Sequence, residues 1–338
     1  MGSSHGDSRI IREMAFEGPA YVPLARRAFT FWDALSDSTG APLLLMTDAL
    51  YLGAPATGLL ALSRTSAAAH GVPHEDLDRE AVQRRFPAFD VPSGMAGLLE
   101  HHAGVLRPEA CVAAMLAEAR RHGAELRLEE PMLSWEAKAG GVRVRTDRGV
   151  IETGALILAT GAWMPAELAP LGVPLQVERV VQHWFRPIGD ASRFSPERCP
   201  VYLCEDPDGT IFYGFPLLDG LVKCAVHHKG EMTGPHVVRR TVSDEEVARV
   251  RVYADRFVPG AAAAHARSAV CLYTDTPDGH FIVDRHPAHP NVVLVSACNG
   301  VGFKFAPVIG EAAAQLALGR PLPTMLTPFT IGRFGVAH

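Results

Sequence analysis

At 338 residues the chain is long enough for about two domains and a substantial core. Hydrophobic residues at 48% and charged residues at 20% exclude disorder and fibrous repeats, and a formal charge of −5 leaves no footprint for gripping a phosphate backbone. The six cysteines contain no C-x-x-C pair, which points to a reducing compartment, read as the cytoplasm, and no apolar run reaches the ~18 residues of a membrane span.

Residues 21–35 place Ala25, Phe29 and Trp32 at helical spacing and run on to Thr39-Gly40, which predicts an amphipathic helix closed by a turn. Residues 108–122 predict another: Pro108 suits the first helical position, Val112, Met115, Leu116 and Ala119 share a face, and Gly123 can end it. Two alternating stretches, 142–146 and 150–153, flank Asp147-Arg148-Gly149 and predict a β-hairpin, followed by a buried strand over 155–159 that stops at Thr160-Gly161. The β-rich segments 177–185, 201–204, 210–215 and 221–226, punctuated by Pro, Gly and Asp, predict one antiparallel sheet. A helix is expected over 243–257 and an apolar strand over 292–297. The last helix, 307–318, repeats Val308, Ile309, Ala312 and Leu316 until Gly319. Units of βα type at both ends of an antiparallel block predict an α/β cofactor domain interrupted by an α+β substrate domain.

Several residues stand out chemically. The strand 292–297 delivers into Asn299-Gly300-Val301-Gly302 ahead of a helix, an arrangement that is either a tight turn or a backbone-amide cradle for partial negative charge. Lys304, in the first helical turn, opposes the helix dipole unless an anion sits nearby; a solvated surface lysine is the plainer reading. Lys223 and His227 lie four apart on one strand and project to one face, with His228 pointing away. His265, His280, His286 and His289 are expected in Pro- and Asp-rich loops without a ligand motif, so no metal site is expected.

Residues 269–284, which include Cys271-Leu272-Tyr273-Thr274-Asp275, together with Gly302-Phe303-Lys304-Phe305, resemble the C-terminal signature of the monomeric sarcosine oxidase and N-methyltryptophan oxidase family. The similarity extends through residues 2–12, Tyr213-Gly214-Phe215-Pro216 and 223–227, and so covers nearly the whole chain. It implies FAD as cofactor. Cys271 matches the cysteine that attaches covalently to the flavin 8α carbon, Arg9 an arginine beside the flavin ring, and His5 a histidine of the same stretch. Gly161, Gly300, Gly302 and Phe303 would belong to the cofactor's cradle. Arg12 and Lys304 match the pair that holds the substrate carboxylate, and Lys223 the lysine that activates oxygen; Tyr213, His227 and Tyr273 match residues around the amine. These residue types suit such roles: a guanidinium fork and an ammonium can orient one carboxylate, and a thiolate in a cationic neighbourhood is a good nucleophile.

The family opens with a strand, a G-x-G-x-x-G turn and a helix, and this sequence begins beyond that unit, for which a start at an internal methionine is the expected cause. The expected fold is therefore α/β, an N-terminally truncated Rossmann-like FAD domain (residues 1–46, 105–175 and 275–338). It is joined to an α+β substrate domain with a mainly antiparallel sheet (47–104 and 176–274). Val301 stands where the family commonly carries histidine. The implied activity is oxidation of N-methyl amino acids such as sarcosine or N-methyltryptophan by O2, giving formaldehyde, the demethylated amino acid and H2O2. The enzyme is expected to be a monomer that binds neither nucleic acid nor membrane. An oxidase of cyclic secondary amino acids (proline or pipecolate type) and a non-catalytic remnant are the alternatives.

Overall fold

Signals carried by near neighbours in sequence are realised in the computed structural model, which describes residues 2–56 and 58–336; Met1, Ala337 and His338, the outer limits of the expected cofactor domain, lie outside the described residues. The helix Tyr21–Thr39 buries Leu24, Ala25, Ala28, Phe29 and Trp32 and closes on Gly40, whose φ of 65° only glycine adopts freely. Ser243 opens the helix Asp244–Phe257 with a capping box: its hydroxyl accepts the Glu246 amide, and the Glu246 carboxylate accepts the Ser243 amide. The strands Gly141–Thr146 and Val150–Thr153 form the expected antiparallel hairpin, and the helix Ala306–Ala317 buries Val308, Ile309, Ala312 and Leu316 as its spacing demands.

Four local expectations are corrected. His265, His286 and His289, expected in loops, lie on the strands Ala264–Asp275, Ile282–His286 and His289–Ser296. The helix Pro108–Arg121 buries Cys111 and Ala114, while Leu116 is exposed and Val112 and Met115 are turned to the wall of a large cavity. The strand expected at 155–159 is only Leu156–Leu158, at the edge of its sheet; Ile157 is exposed on the wall of the same cavity and Leu158 alone is buried. Lys304 occupies a tight 3-10 turn, Gly302–Phe305, that precedes the final helix.

The four segments expected to form an antiparallel sheet do so, in the order Gln176–Arg186, Leu221–His227, Ile211–Leu218, Val201–Glu205. The sheet does not stop there. Val201–Glu205 pairs in parallel with Ala49–Gly53, which leads through Ala96–Glu100 to Glu75–Leu77; at the other side Gln176–Arg186 takes Glu231–Thr233 and Ala264–Asp275. Ala49–Gly53 is buried throughout, and a short apolar run without alternation cannot be told from buried helix by pattern alone.

Register in this sheet places the chemistry. Val180 lies opposite Cys271 and Trp184 opposite Lys223; since 180 and 184 share a face of their strand, the thiol and the ammonium emerge on the same side. A second sheet, in the order Leu156–Leu158, His289–Ser296, Ile282–His286, delivers the turn at 299–305. A third joins Arg9–Arg12 to Ala103–Leu106 and Leu44–Met46. The final helix packs on both Tyr21–Thr39 and His289–Ser296, which fixes the turn against the rest of the molecule.

Candidate functional site

A cavity of about 430 Å3 lies where the large sheet, the Arg9–Arg12 strand and the turn at 299–305 meet, within the range of small-molecule sites. Lys223, His227, Tyr213, Cys271 and Tyr273 line it from the sheet, Arg9 and Arg12 from the N-terminal strand, and Gly161, Gly300, Gly302, Phe303 and Lys304 from the loops. His5 does not line it; the His5 carbonyl instead accepts from Arg9 at 2.6 Å, and burial followed by Arg9 lowers the pKa of its ring.

The thiol end is built by the N-terminal turn. Arg9 donates to the carbonyls of Ser3, His5 and Ser8 and reaches within 3.9 Å of Cys271 Sγ. Those carbonyls fix the guanidinium, so the sulfur has a permanent cation beside it. Lys223 is buried; its ammonium donates to the carbonyls of Gly6 and Ser8 at 2.7 and 2.8 Å and lies 5.2 Å from the Trp184 ring and 4.8 Å from the Phe215 ring. An ammonium has three protons, and two are used here. Burial, then Arg9, push its pKa well below the ordinary lysine range.

The opposite end is an ion cluster. Arg12, buried, donates to the Met14 carbonyl and, at 2.6 Å, to Glu17 Oε1. Lys304 Nζ stands 4.0 Å from the same oxygen. Burial opposes ionisation of Glu17, but Arg12 and Lys304 together override it and hold the carboxyl down to about 2. Burial and Arg12 bring Lys304 down to about 7, with Glu17 and Glu100 resisting. Two cations thus converge on one carboxylate.

Between the two ends stand the rings. Burial, then His228, push His227 down to about 3, leaving its imidazole neutral; Nδ1 lies 3.4 Å from the Tyr273 hydroxyl. Tyr213 meets His227 edge to face at 6.4 Å and shares a hydrogen bond with Tyr273. His228 does not point away as strand alternation predicts. The strand ends at His227, and His228 and Lys229 both take φ of 59°, which turns the His228 ring to within 4.2 Å of that of His227.

The loops pack so closely on the cavity wall that glycine is required at two positions. A Cβ at Gly300 would come within 2.6 Å of Tyr273 and 2.8 Å of His227, and one at Gly302 would overlap the Ala297 carbonyl. Gln182 Oε1, buried in the cavity wall, has no hydrogen-bond partner. An apolar trough with a thiol, cations at both ends and glycine-lined loops fits a flavin ring and a small carboxylate.

Two contributors escape sequence reasoning. Glu17 lies in Phe16-Glu17-Gly18-Pro19, a stretch that reads only as a turn, and no local signal ties it to Arg12. Gln182 shares its strand with Glu178, Arg179 and His183, so its polarity alone does not mark it as facing the cavity.

The defining pattern of the FAD dependent oxidoreductase family matches residues 1–316. The monomeric sarcosine oxidase of Streptomyces avermitilis is 43% identical over 338 residues, covering 98% of this chain and 86% of that protein. The N-methyl-L-tryptophan oxidase of Salmonella typhimurium is 33% identical over 335 residues, covering 98% and 89%. Among solved structures, the open form of an amino acid oxidase essential for nikkomycin biosynthesis superposes with a TM-score of 0.83 over 97% of this chain and 87% of that one, at 22% identity, a likeness of fold.

Proposed function

Because this chain belongs to the family of FAD-dependent oxidoreductases, we propose that it oxidises N-methyl amino acids, sarcosine or N-methyltryptophan among them, with O2, to formaldehyde, the demethylated amino acid and H2O2. The convergence of Arg12 and Lys304 on one carboxylate, in the same cavity as the Cys271 thiol, carries this reading. The substrate carboxylate displaces that of Glu17 and takes its place against the guanidinium and ammonium. Holding the carboxylate at one end fixes where the N-methyl group lies, and orientation supplies much of a rate enhancement. Neutral His227, with Tyr213 and Tyr273, packs around the amine and accepts its hydrogen bond. FAD, when bound, supplies the two-electron acceptor.

Cys271 is the residue we assign to covalent attachment, with the Arg9 guanidinium 3.9 Å from its sulfur. His5 supports Arg9 through its carbonyl, and Gly161, Gly300, Gly302 and Phe303 shape the cofactor's seat. The remaining proton of Lys223 faces developing negative charge on oxygen. We place the cofactor side on residues 1–46, 105–175 and 275–338 and the substrate side on 47–104 and 176–274. The protein acts as a monomer in the cytoplasm. No helix among the described residues is long and apolar enough to cross a membrane.

The test is direct. Purified protein is assayed for H2O2 and formaldehyde with sarcosine, N-methyltryptophan, proline and glycine; N-methyl substrates are expected to give both products, and peroxide from proline alone would replace this reading with the cyclic-amine one. Acid precipitation should leave a yellow pellet, and Cys271→Ala should release the colour to the supernatant; colour retained by that variant removes Cys271 from the role.

A further inference from the structure

On the sheet, Glu178 lies opposite Tyr273, and Asp275 is two residues further along the same strand as Tyr273, so these three side chains share a face. His228, turned by its left-handed backbone, closes the group from the neighbouring loop. One ligand atom from each of Glu178, His228 and Asp275 lies within 4.8 Å of the other two. The Glu178 carboxylate is buried and is already oriented: Oε1 accepts the Gly230 amide, and Oε2 lies 2.8 Å from His228 Nδ1. Asp275 Oδ1 is different. It is buried without any hydrogen-bond partner, a state that costs free energy unless something occupies its lone pairs.

The charges acting on Asp275 are His228, which favours its ionisation, and Glu178, which opposes it; burial exceeds both and lifts the carboxyl to about 6. Nearby protein cations are engaged elsewhere: Lys229 with Thr210 and Asp208, and Arg179 with Glu246. Against burial, the bond to Glu178 and the charges of Asp275 and Glu178 raise the pKa of His228, so the positive charge this group holds is the proton shared with Glu178, and Asp275 Oδ1 stays without a partner.

We propose that Glu178, His228 and Asp275 form a binding site for one divalent transition-metal ion of the zinc class, seated behind the amine pocket. An imidazole nitrogen with two carboxylate oxygens is a common set of three protein ligands for such an ion, with water completing the shell. Bond lengths of roughly 2.0–2.2 Å place tetrahedral ligands ~3.4 Å apart, so only a modest contraction is needed. His228 can supply it, because its side chain is 43% exposed and free on its outer side. That exposure also gives the ion and its waters a route in. Ligation replaces the proton that Nδ1 otherwise shares with Glu178, and no electron transfer is involved.

The site touches the pocket through one residue. The His228 ring packs 4.2 Å from His227 and edge-on to Tyr273 at 5.2 Å. An ion on Nδ1 fixes that ring and with it the wall against which the substrate amine rests. Metal occupancy therefore alters substrate affinity without contact between ion and substrate.

The experiment is calorimetric titration of the flavin-loaded enzyme with ZnCl2, with CaCl2 as a hard-cation control. One equivalent of Zn2+ is expected to bind, in preference to Ca2+, and anomalous scattering at the zinc edge should place it among these three residues. Asp275→Asn and His228→Gln should each weaken that binding at least about tenfold. His228→Gln changes a half-exposed residue, so it remains informative if the buried Asp275→Asn variant does not fold. No zinc binding by the wild type, unchanged binding in His228→Gln, or anomalous signal located only at cysteine sulfur would each overturn the proposal. Loss of activity through failed substrate oxidation leaves the zinc titration intact, so the two readings fail separately.

Discussion

Lys304 and Lys223 enter one cavity from opposite ends with nearly equal burial, 4% and 3% exposed, yet keep different company. Lys304 faces the Glu17 carboxylate, with Glu100 further off, and remains at about 7. Lys223 faces only two carbonyls and two ring faces; burial, then Arg9, push it well below the ordinary lysine range. Burial penalises an ammonium in either place; a carboxylate partner offsets the penalty and carbonyls do so only in part. On the function proposed above, one end of the cavity would take a ligand that arrives as an anion, and the other would face an anion that develops during reaction.

Four substitutions or titrations probe that contrast. Arg12→Met should weaken a non-oxidisable carboxylate analogue by about 100-fold or more, the scale for removing one partner of a buried, hydrogen-bonded charge pair. Equilibrium titration by flavin absorbance checks it, and near-native affinity would dissolve the distinction between the two ends. Next, Lys223→Met should slow reoxidation by O2 by roughly 100-fold while leaving anaerobic reduction within a few-fold, as stopped-flow measurement of each half-reaction would read. Equal slowing of both would place Lys223 with the substrate instead.

A smaller effect follows from pH. Only protonated Lys304 attracts the carboxylate, and its pKa of about 7 means the charged fraction declines above that value. Analogue affinity should therefore fall as pH rises from 7 to 9, and Lys304→Arg, which stays charged, should flatten the curve. The smallest effect belongs to Glu17. Glu17→Gln removes the internal competitor and should tighten analogue binding several-fold. It also changes acid stability: a carboxyl held at about 2, below its ordinary 4.5, stabilises the fold above pH 4.5, and that contribution fades as pH falls from 4.5 to 2. The variant should lose this part of the acid-unfolding slope, measured by circular dichroism; an unchanged slope would show that Glu17 is not held by the two cations.

What was legible in sequence depended on range. Pro108 and Gly40 act within one helical turn, so their helices could be placed without knowing the rest. Alternation marked the hairpin at 142–153, and β-rich composition between turn residues marked the strand carrying Lys223. The strands Ala49–Gly53 and Ala96–Glu100 gave no such signal because they are buried almost throughout. The cavity residues were legible only by resemblance: an isolated Arg12 or Cys271 is indistinguishable from an ordinary charge or a small buried hydrophobe. His228 was misplaced because the pleat was carried one residue past the point where the backbone turns left-handed.

By itself the sequence determined the class of fold, most helices and their ends, and which residues could supply a thiol, a fork and an ammonium, since these follow from local sterics and side-chain chemistry. Only the tertiary structure decided that Glu17 sits between Arg12 and Lys304, and that Asp275 is left with an unpaired oxygen beside Glu178. Charge state and ligand capacity depend on distance and burial, and residues far apart in the chain acquire both only when the sheets close around them.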